Sequence, residues 1–148
     1  LAYYEALRMI SHKTIRRFAV LSGARRVGKT TIMYQMMNSL IDEGVNPKNI
    51  LYVSFDNPIV KLVNVETVLS IYESLYPIEG TRYIFLDEIQ KVPSFEKVVD
   101  SLYVKPNVDL YITGSNAYML SGDLATLLTG RYVDGAMEHP EDTHHVIL

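Results

Sequence analysis

The stretch Gly23-Ala24-Arg25-Arg26-Val27-Gly28-Lys29-Thr30-Thr31 contains the pattern G-x-x-x-x-G-K-T, which is typical of phosphate-binding loops. Glycines at both ends allow the backbone to curl, so that several N–H groups point toward one phosphate. Lys29 adds a full positive charge, and the helix expected to follow adds a partial one at its N-terminus. The Thr30 hydroxyl is expected at the position of a ligand to a magnesium ion. We therefore expect the nine residues to bind the phosphates of a nucleotide.

The sequence on both sides of this loop supports that interpretation. An apolar run over residues 17–22 predicts a buried strand before the loop, and residues 29–43 predict a helix after it. Six apolar residues are expected on the inner side of that helix: Ile32, Met33, Met36, Met37, Leu40 and Ile41. A strand followed by this loop and a helix is the structural context that the motif requires.

Strands and helices continue to alternate along the rest of the chain. Apolar runs predict strands at 50–55, 83–86 and 108–113, and helical spacing predicts helices at about 64–76 and 95–103. This order predicts an α/β fold with a parallel, doubly wound sheet. In such a sheet, ligands bind beyond the carboxyl ends of the strands, which is where the phosphate-binding loop falls.

Two acids, Asp87 and Glu88, follow the predicted strand 83–86 directly. Asp87, at the strand end, can hold magnesium together with Thr30, usually through water. Glu88, one residue further on, can orient and polarise the water that attacks a γ-phosphate. Alone, two acids after a strand would indicate a polar loop, but the phosphate-binding loop upstream favours the functional interpretation.

The predicted strand 108–113 ends in the polar segment Thr113-Gly114-Ser115-Asn116. In proteins with a Glu after the magnesium-binding Asp, a strand usually inserts between the first and third strands and carries a polar residue at its tip. That residue helps to hold the attacking water and the γ-phosphate. Asn116 is the candidate, with Ser115 and Thr113 as alternatives, and a simple polar turn is the competing interpretation.

Taken together, four motifs resemble those of the AAA-type ATPases of bacteria and archaea, within the AAA+ superfamily. They are the loop Gly23–Thr31, Leu86-Asp87-Glu88-Ile89-Gln90, Thr113-Gly114-Ser115 and Gly130-Arg131-Tyr132. The resemblance covers about residues 15–133. It implies a P-loop NTPase fold of three α/β/α layers, with a mainly parallel five-stranded sheet. It also implies ATP or ADP with Mg2+ as ligands and a possible homo-oligomer.

The resemblance also assigns roles to individual residues. Lys29 and Thr30 match the phosphate-loop lysine and the magnesium-binding hydroxyl, while Asp87 and Glu88 match the acidic pair. Asn116 falls at the polar sensor position of wider AAA+ proteins. Arg131 falls where many AAA+ proteins place an arginine finger, although a surface arginine paired with a nearby Asp is the alternative. Lys29, Glu88, Asn116 and Arg131 are thus the expected catalytic residues.

Composition limits the other possibilities. With 148 residues, 48% of them hydrophobic, the chain is long enough for one domain with a core. It contains no cysteine, which excludes disulfides and thiolate metal sites and is compatible with a cytoplasmic setting. No apolar run approaches the length of a membrane span, so no membrane association is expected. The net charge of −3 argues against a generally basic nucleic-acid-binding protein.

Positive charge is nevertheless concentrated at one end of the sequence. Residues 1–30 contain seven Lys or Arg and one acid, whereas the remainder contains seven and sixteen. Receiving a polyanionic nucleotide is the favoured explanation, and a surface for nucleic acid or an acidic partner is the alternative. Arg25 and Arg26 could contact phosphates or a neighbouring subunit, or they could be solvated loop charges.

The sequence therefore divides into an expected ATPase domain at 1–133 and a tail of uncertain structure at 134–148. The tail shows neither helical nor strand periodicity. Its histidines, His139, His144 and His145, could suggest a metal site, but the absence of cysteine and their poor spacing favour a tail or solvated loop. It does not resemble the family's continuation, which usually includes a helical lid and a C-terminal domain of unknown function. Two functions are open: Mg-dependent ATP hydrolysis coupled to movement of such a domain, or a nucleotide-dependent switch that binds nucleic acid or protein.

Overall fold

The computed structural model describes residues 18–24, 28–60, 64–76, 79–115 and the backbone of 143–147. The helices and strands, in chain order, are β1 (Phe18–Ser22), α1 (Lys29–Asp42), β2 (Ile50–Ser54), α2 (Val65–Leu75), β3 (Arg82–Asp87), α3 (Phe95–Tyr103), β4 (Val108–Gly114) and β5 (Thr143–Ile147). Short 3-10 helices at Pro47–Asn49 and Ile89–Lys91 precede β2 and follow β3. The observed bounds of the elements in 18–115 lie within one or two residues of those expected from the sequence.

The strands form one sheet in the order β2-β3-β4-β1-β5, and each neighbouring pair is parallel. The predicted α/β class with a parallel sheet is therefore confirmed. β4 lies between β1 and β3, as expected for a chain with a Glu after Asp87. Because parallel strands end at the same edge, this order brings the loop after β1, the acids after β3 and the tip of β4 together.

Helices cover both faces of the sheet, so the chain has three layers. On one face, α1 packs against β1, β3 and β4 through a buried cluster: Ala19, Leu21, Ile32, Met33, Met36, Leu40, Phe85 and Tyr111. On the other face, α2 and α3 pack through a second cluster that includes Val20, Leu69, Ile84, Leu86, Val99, Leu102, Leu110 and Ile112. Strand residues alternate between the two clusters because side chains of a strand alternate between faces.

A stacked aromatic pair lies at the centre of the α1 face. Phe85 of β3 and Tyr111 of β4 are direct partners in the sheet, and their rings lie 4.4 Å apart at 8°. Both are fully buried. Such pairs contribute about 0.5–1.5 kcal/mol beyond their burial. Asp87 and Thr113 follow two residues later on the same strands, so they leave the sheet on the same face as this pair.

The helices begin with different caps. α1 starts after Gly28, whose φ of 91° is left-handed. α2 starts at Asn64, whose side chain accepts a hydrogen bond from the Glu66 N–H at 2.7 Å, as N-cap residues commonly do. In the described ranges, α1 is the longest helix at 14 residues, and no helix there is long and apolar enough to cross a membrane.

The prediction that Ile41 lies on the inner side of α1 was wrong. Met33, Met36 and Leu40 are buried as predicted, but Ile41 is 42% exposed. With about 100° of rotation per residue, Ile41 lies opposite Ile32 around the helix axis. The buried arc is therefore narrower than the apolar spacing indicated.

β5 extends the sheet beyond β1, with Phe18 opposite Thr143 and Ser22 opposite Ile147. This stretch lies in the tail, where the sequence pattern predicted no helix or strand. Five residues with two adjacent histidines show no clear alternation, so the pairing with β1 could not be read from local pattern. With β5 the described sheet has five strands, but β5 lies after residue 133, outside the range that carries the resemblance.

Candidate nucleotide-binding site

The segment between β1 and α1 is described at Gly23, Ala24 and Gly28, and residues 25–27 lie outside the described ranges. Gly28 has a φ of 91°, and no atom lies within 4 Å of where a Cβ would be. Glycine is required there by backbone conformation rather than by space. α1 begins at the next residue, so its first N–H groups face the loop and provide the positive end of a helix.

Lys29 joins this loop to the acids of β3. Its side chain is 4% exposed, and its Nζ donates hydrogen bonds to the carbonyls of Gly23, at 2.7 Å, and Ala24, at 3.1 Å. The same atom lies 4.0 Å from Oε1 of Glu88. A buried ammonium group is costly without compensation, and here two carbonyls and one carboxylate compensate it. The cation is therefore held between the loop and Glu88.

Asp87, 2% exposed, accepts hydrogen bonds from three hydroxyl groups. Oδ2 accepts from Thr30 at 2.7 Å and from Tyr52 at 2.6 Å, and Oδ1 accepts from Thr113 at 2.5 Å. The donors come from α1, β2 and β4, so the carboxylate is fixed from three directions. Burial of Tyr52, and next its hydrogen bond to Asp87, raise the pKa of that phenol well above its usual value, which keeps the hydroxyl a donor.

Glu88 has a left-handed backbone, with φ 59° and ψ 45°. A residue other than glycine in this region costs on the order of 1–3 kcal/mol and persists only where its surroundings hold it. Its N–H donates to Oγ1 of Thr113 at 2.9 Å, and its Oε2 accepts from the Gln90 amide. The bend turns the Glu88 side chain, 12% exposed, toward Lys29. Thr113 thus links both acids, since its hydroxyl also donates to Asp87.

Residues 15–139 match the model of a protein family described as an AAA domain. The matched range contains the loop, the acids after β3 and the tip of β4. The chain belongs to this AAA domain family. Membership of this family indicates a P-loop and ATPase-like nucleotide binding. The parallel sheet and the helix that follows the loop agree with this assignment.

Two relatives of this AAA domain are longer proteins. An uncharacterized protein of Haemophilus influenzae is 38% identical over 128 residues, which are 85% of this chain and 32% of that protein. The uncharacterized protein MJ1544 of Methanocaldococcus jannaschii is 29% identical over 115 residues, or 78% of this chain and 25% of that protein. The chain therefore spans about a third and a quarter of the lengths of these relatives.

Within the AAA domain, several residues singled out from the sequence lie together. The loop glycines, Lys29, Thr30, Asp87 and Glu88 meet at the carboxyl edge of the sheet, whereas Thr31 is exposed on α1. Asn116, Arg131 and the loop residues Arg25, Arg26 and Val27 lie outside the described residues, so their predicted roles stay predictions. At the tip of β4, Thr113 is the described residue that contacts both acids.

Sequence reasoning did not find Tyr52 or Gln90 as members of the site. Tyr52 pairs with Phe85 and Ser54 with Asp87, so Tyr52 lies on the face of Asp87, one pleat earlier on the neighbouring strand. The alternation of β2 would have placed Tyr52 on this face, but the register between β2 and β3 was needed to aim it at Asp87. Gln90 resembles any polar residue in a loop until the bend at Glu88 is known.

The oxygen atoms of this edge fit a magnesium–nucleotide complex. Thr30 and Asp87 supply a hydroxyl and a carboxylate, the hard oxygen ligands that Mg2+ prefers. In the described ranges no group of three or more His, Cys, Asp or Glu side chains could hold a metal alone. Magnesium is commonly bound through one or two carboxylates and substrate phosphates, which suits the single Asp87 beside a phosphate-binding loop.

Proposed function

We propose that the chain is an ATP-binding P-loop ATPase that hydrolyses ATP with Mg2+ and couples hydrolysis to movement of a further, C-terminal domain. The observation that carries the proposal is the contact between the two motifs. Thr30 Oγ1 lies 2.7 Å from Asp87 Oδ2, and Lys29 Nζ lies 4.0 Å from Glu88 Oε1. The loop that contains Lys29 and Thr30 suits the binding of phosphates, and the acids Asp87 and Glu88 suit the binding of a metal ion and a water.

Each residue has a separate role in this proposal. Backbone N–H groups at the start of α1 and the Lys29 ammonium bind the β- and γ-phosphates. Thr30 and Asp87 hold the magnesium ion, which neutralises charge that develops on the phosphate oxygens. Thr113 keeps Asp87 and Glu88 in fixed relation, because its hydroxyl donates to the Asp87 carboxylate and accepts from the Glu88 N–H.

Glu88 is the proposed general base. It accepts a proton from water as the water oxygen bonds to the γ-phosphorus, and the bond from that phosphorus to the β–γ bridging oxygen breaks. ADP and phosphate are the products. The Glu88 side chain is only 12% exposed, and partial exclusion of bulk water strengthens its interaction with a bound water. Asn116 and, from an adjoining subunit, Arg131 are proposed to complete the site on the basis of the family resemblance.

Replacement of Glu88 by Gln tests hydrolysis separately from binding. Glu88→Gln keeps size and polarity but removes the base, so turnover should fall by about 10²–10⁴ while nucleotide affinity is kept. Phosphate release under single-turnover conditions and binding of a fluorescent ATP analogue measure the two effects. Turnover equal to that of the unmodified chain would exclude Glu88 as the base.

A nucleotide-dependent binding switch is the second candidate, and the contacts of Glu88 favour it. Oε2 accepts a hydrogen bond from Gln90 and Oε1 faces Lys29, so both carboxylate oxygens are engaged within the protein. With Glu88 held in this way, the chain would bind ATP without activating a water for hydrolysis. The switch would present its basic N-terminal segment to nucleic acid or protein. Under this alternative, Glu88→Gln changes neither binding nor an already negligible rate of phosphate release.

A further inference from the structure

Tyr52 is the one hydroxyl donor to Asp87 that the motifs of the proposed site do not include. Its OH lies 2.6 Å from Oδ2, the same oxygen that accepts from Thr30 at 2.7 Å. Thr30 comes from the phosphate-binding loop and Thr113 from the tip of β4, whereas Tyr52 comes from the middle of β2. The contact therefore ties a third element to the carboxylate.

The direction of the Tyr52 hydroxyl is fixed by its surroundings. Phe85 is its partner in the sheet register, so the Tyr52 ring leaves β2 one pleat before Asp87 and reaches it diagonally. On its other side, the ring of Tyr34 lies 5.2 Å away, tilted by 56°. Tyr34 is four residues after Thr30, so both lie on one face of α1. The ring is thus held between α1 and the end of β3.

All three groups that hold Asp87 are neutral. In the described part of the chain, lysines pair with Glu88, Asp56 and Glu73, and no cation pairs with Asp87. A hydroxyl fixes the carboxylate while leaving its negative charge available to a cation. A lysine or arginine at position 52 would instead compete with the metal for that charge.

We propose that Tyr52 is a positioning residue for the divalent cation. By holding Oδ2, it keeps the Asp87 carboxylate and the Thr30 hydroxyl together as one pair of oxygens for the cation of a bound Mg–nucleotide. The inference rests on the magnesium–nucleotide site proposed above. Hydrogen-bond partners of metal-binding carboxylates commonly change metal affinity by about 10- to 100-fold when removed. Without the Tyr52 hydroxyl, Oδ2 keeps only the donor from Thr30, and the carboxylate is less firmly oriented because the terminal torsion of Asp is soft.

Tyr52→Phe removes the hydroxyl and keeps the ring against Tyr34. The matched control is Tyr72→Phe, which removes a hydroxyl that donates to the Lys48 carbonyl at 2.7 Å, on α2 and away from Asp87. Binding of a fluorescent ATP analogue is measured in EDTA and across a titration of Mg2+. We expect Tyr52→Phe to bind the analogue in EDTA as the unmodified chain does. The half-saturating Mg2+ concentration should rise by about tenfold, and Tyr72→Phe should leave it unchanged.

The outcomes separate the two proposals. If the unmodified chain binds the analogue no better with Mg2+ than in EDTA, the magnesium site itself is wrong, and this role of Tyr52 fails with it. If the unmodified chain responds to Mg2+ and Tyr52→Phe responds at the same concentration, only the role of Tyr52 is overturned. A weaker affinity of Tyr52→Phe in EDTA and in Mg2+ alike would reduce Tyr52 to a structural residue and also overturn it.

A second variant covers the case in which Tyr52→Phe does not fold. Tyr34 is 49% exposed, so Tyr34→Leu should be tolerated. It removes the ring that holds Tyr52 but none of the three hydroxyls, and the half-saturating Mg2+ concentration should rise by about threefold. No rise in this variant would contradict the positioning of Asp87 through the Tyr52 ring.

Discussion

At the scale of single residues, the site depends on which charges are compensated and which remain available. Asp87 is held by three hydroxyls, whereas Lys29 is held by two loop carbonyls and lies 4.0 Å from Glu88. The loop carbonyls are weak partners for a buried ammonium group compared with the oxygens of a phosphate. The environment of Lys29 therefore favours its exchange of partners when a polyphosphate enters the loop.

Lys29→Ala should weaken binding of ATP by roughly ten- to a hundredfold, because it removes a charge-assisted contact worth about 1.5–3 kcal/mol. Lys105→Ala is the matched control, since Lys105 pairs with Glu73 at the surface at 3.2 Å and lies outside the site. A surface pair of this kind contributes about 0–1 kcal/mol, so the control should bind as the unmodified chain does. Calorimetric titration with ATP and Mg2+ measures both. If folded Lys29→Ala and Lys105→Ala bind ATP with equal affinity, Lys29 does not contribute to nucleotide binding.

At the scale of elements, the sequence pattern located the strands and helices of residues 18–115, but neither β5 nor the register between the strands. The apolar runs were sufficient for β1, β3 and β4 because buried parallel strands are apolar on both faces. Tyr52 was missed because its contact with Asp87 is not local. The two residues lie 35 positions apart and meet only through the pairing of β2 with β3, which a local sequence pattern does not reveal. From the sequence, Thr113 was an alternative to Asn116. The fold places the Thr113 hydroxyl between Asp87 and Glu88, whereas Asn116 lies outside the described residues and its role stays a prediction.

The start of α1 provides a test at this scale. Gly28 and Gly44 both have left-handed φ, at 91° and 100°, and apart from their chain neighbours no atom lies within 4 Å of where a Cβ would be. Alanine at either position should lower the free energy of unfolding by a similar amount, about 1–2 kcal/mol, from backbone strain alone. Only Gly28→Ala should also weaken nucleotide binding, because Gly28 ends the phosphate-binding loop and Gly44 follows the far end of α1. Thermal unfolding and ATP titration check the pair, and matching losses of affinity would show that the loop conformation at Gly28 is not specifically required.

At the scale of the whole molecule, the sheet order places the proposed site at the carboxyl ends of the strands, and we propose that a second copy of the chain completes it. The carboxyl ends of β1, β3 and β4 bear the proposed nucleotide site, and the described part of that edge supplies Lys29 as the cation nearest Glu88. The family resemblance assigns Arg131 as a second cation, contributed by an adjoining subunit. Oligomerisation, the coupled domain and the partner are proposals, because this chain is a third or less of the length of its two relatives.

Mixing of two inactive variants tests whether Arg131 acts across subunits. Arg131→Ala should bind ATP normally and hydrolyse it about 10³–10⁵ times more slowly, because a finger arginine stabilises transition-state charge. In an equal mixture with Glu88→Gln, random assembly into a ring pairs an intact Glu88 with an intact neighbouring Arg131 at about one quarter of the interfaces. Phosphate release should recover to about that fraction of the unmodified rate.

Mixing Arg131→Ala with a variant that carries both substitutions is the control, since no interface then contains an intact Arg131. Full activity of Arg131→Ala alone would identify a surface arginine, worth at most about 1 kcal/mol in a pair with Asp123 or Asp134. No recovery on mixing, with slow hydrolysis by Arg131→Ala, would instead place Arg131 in its own subunit's site.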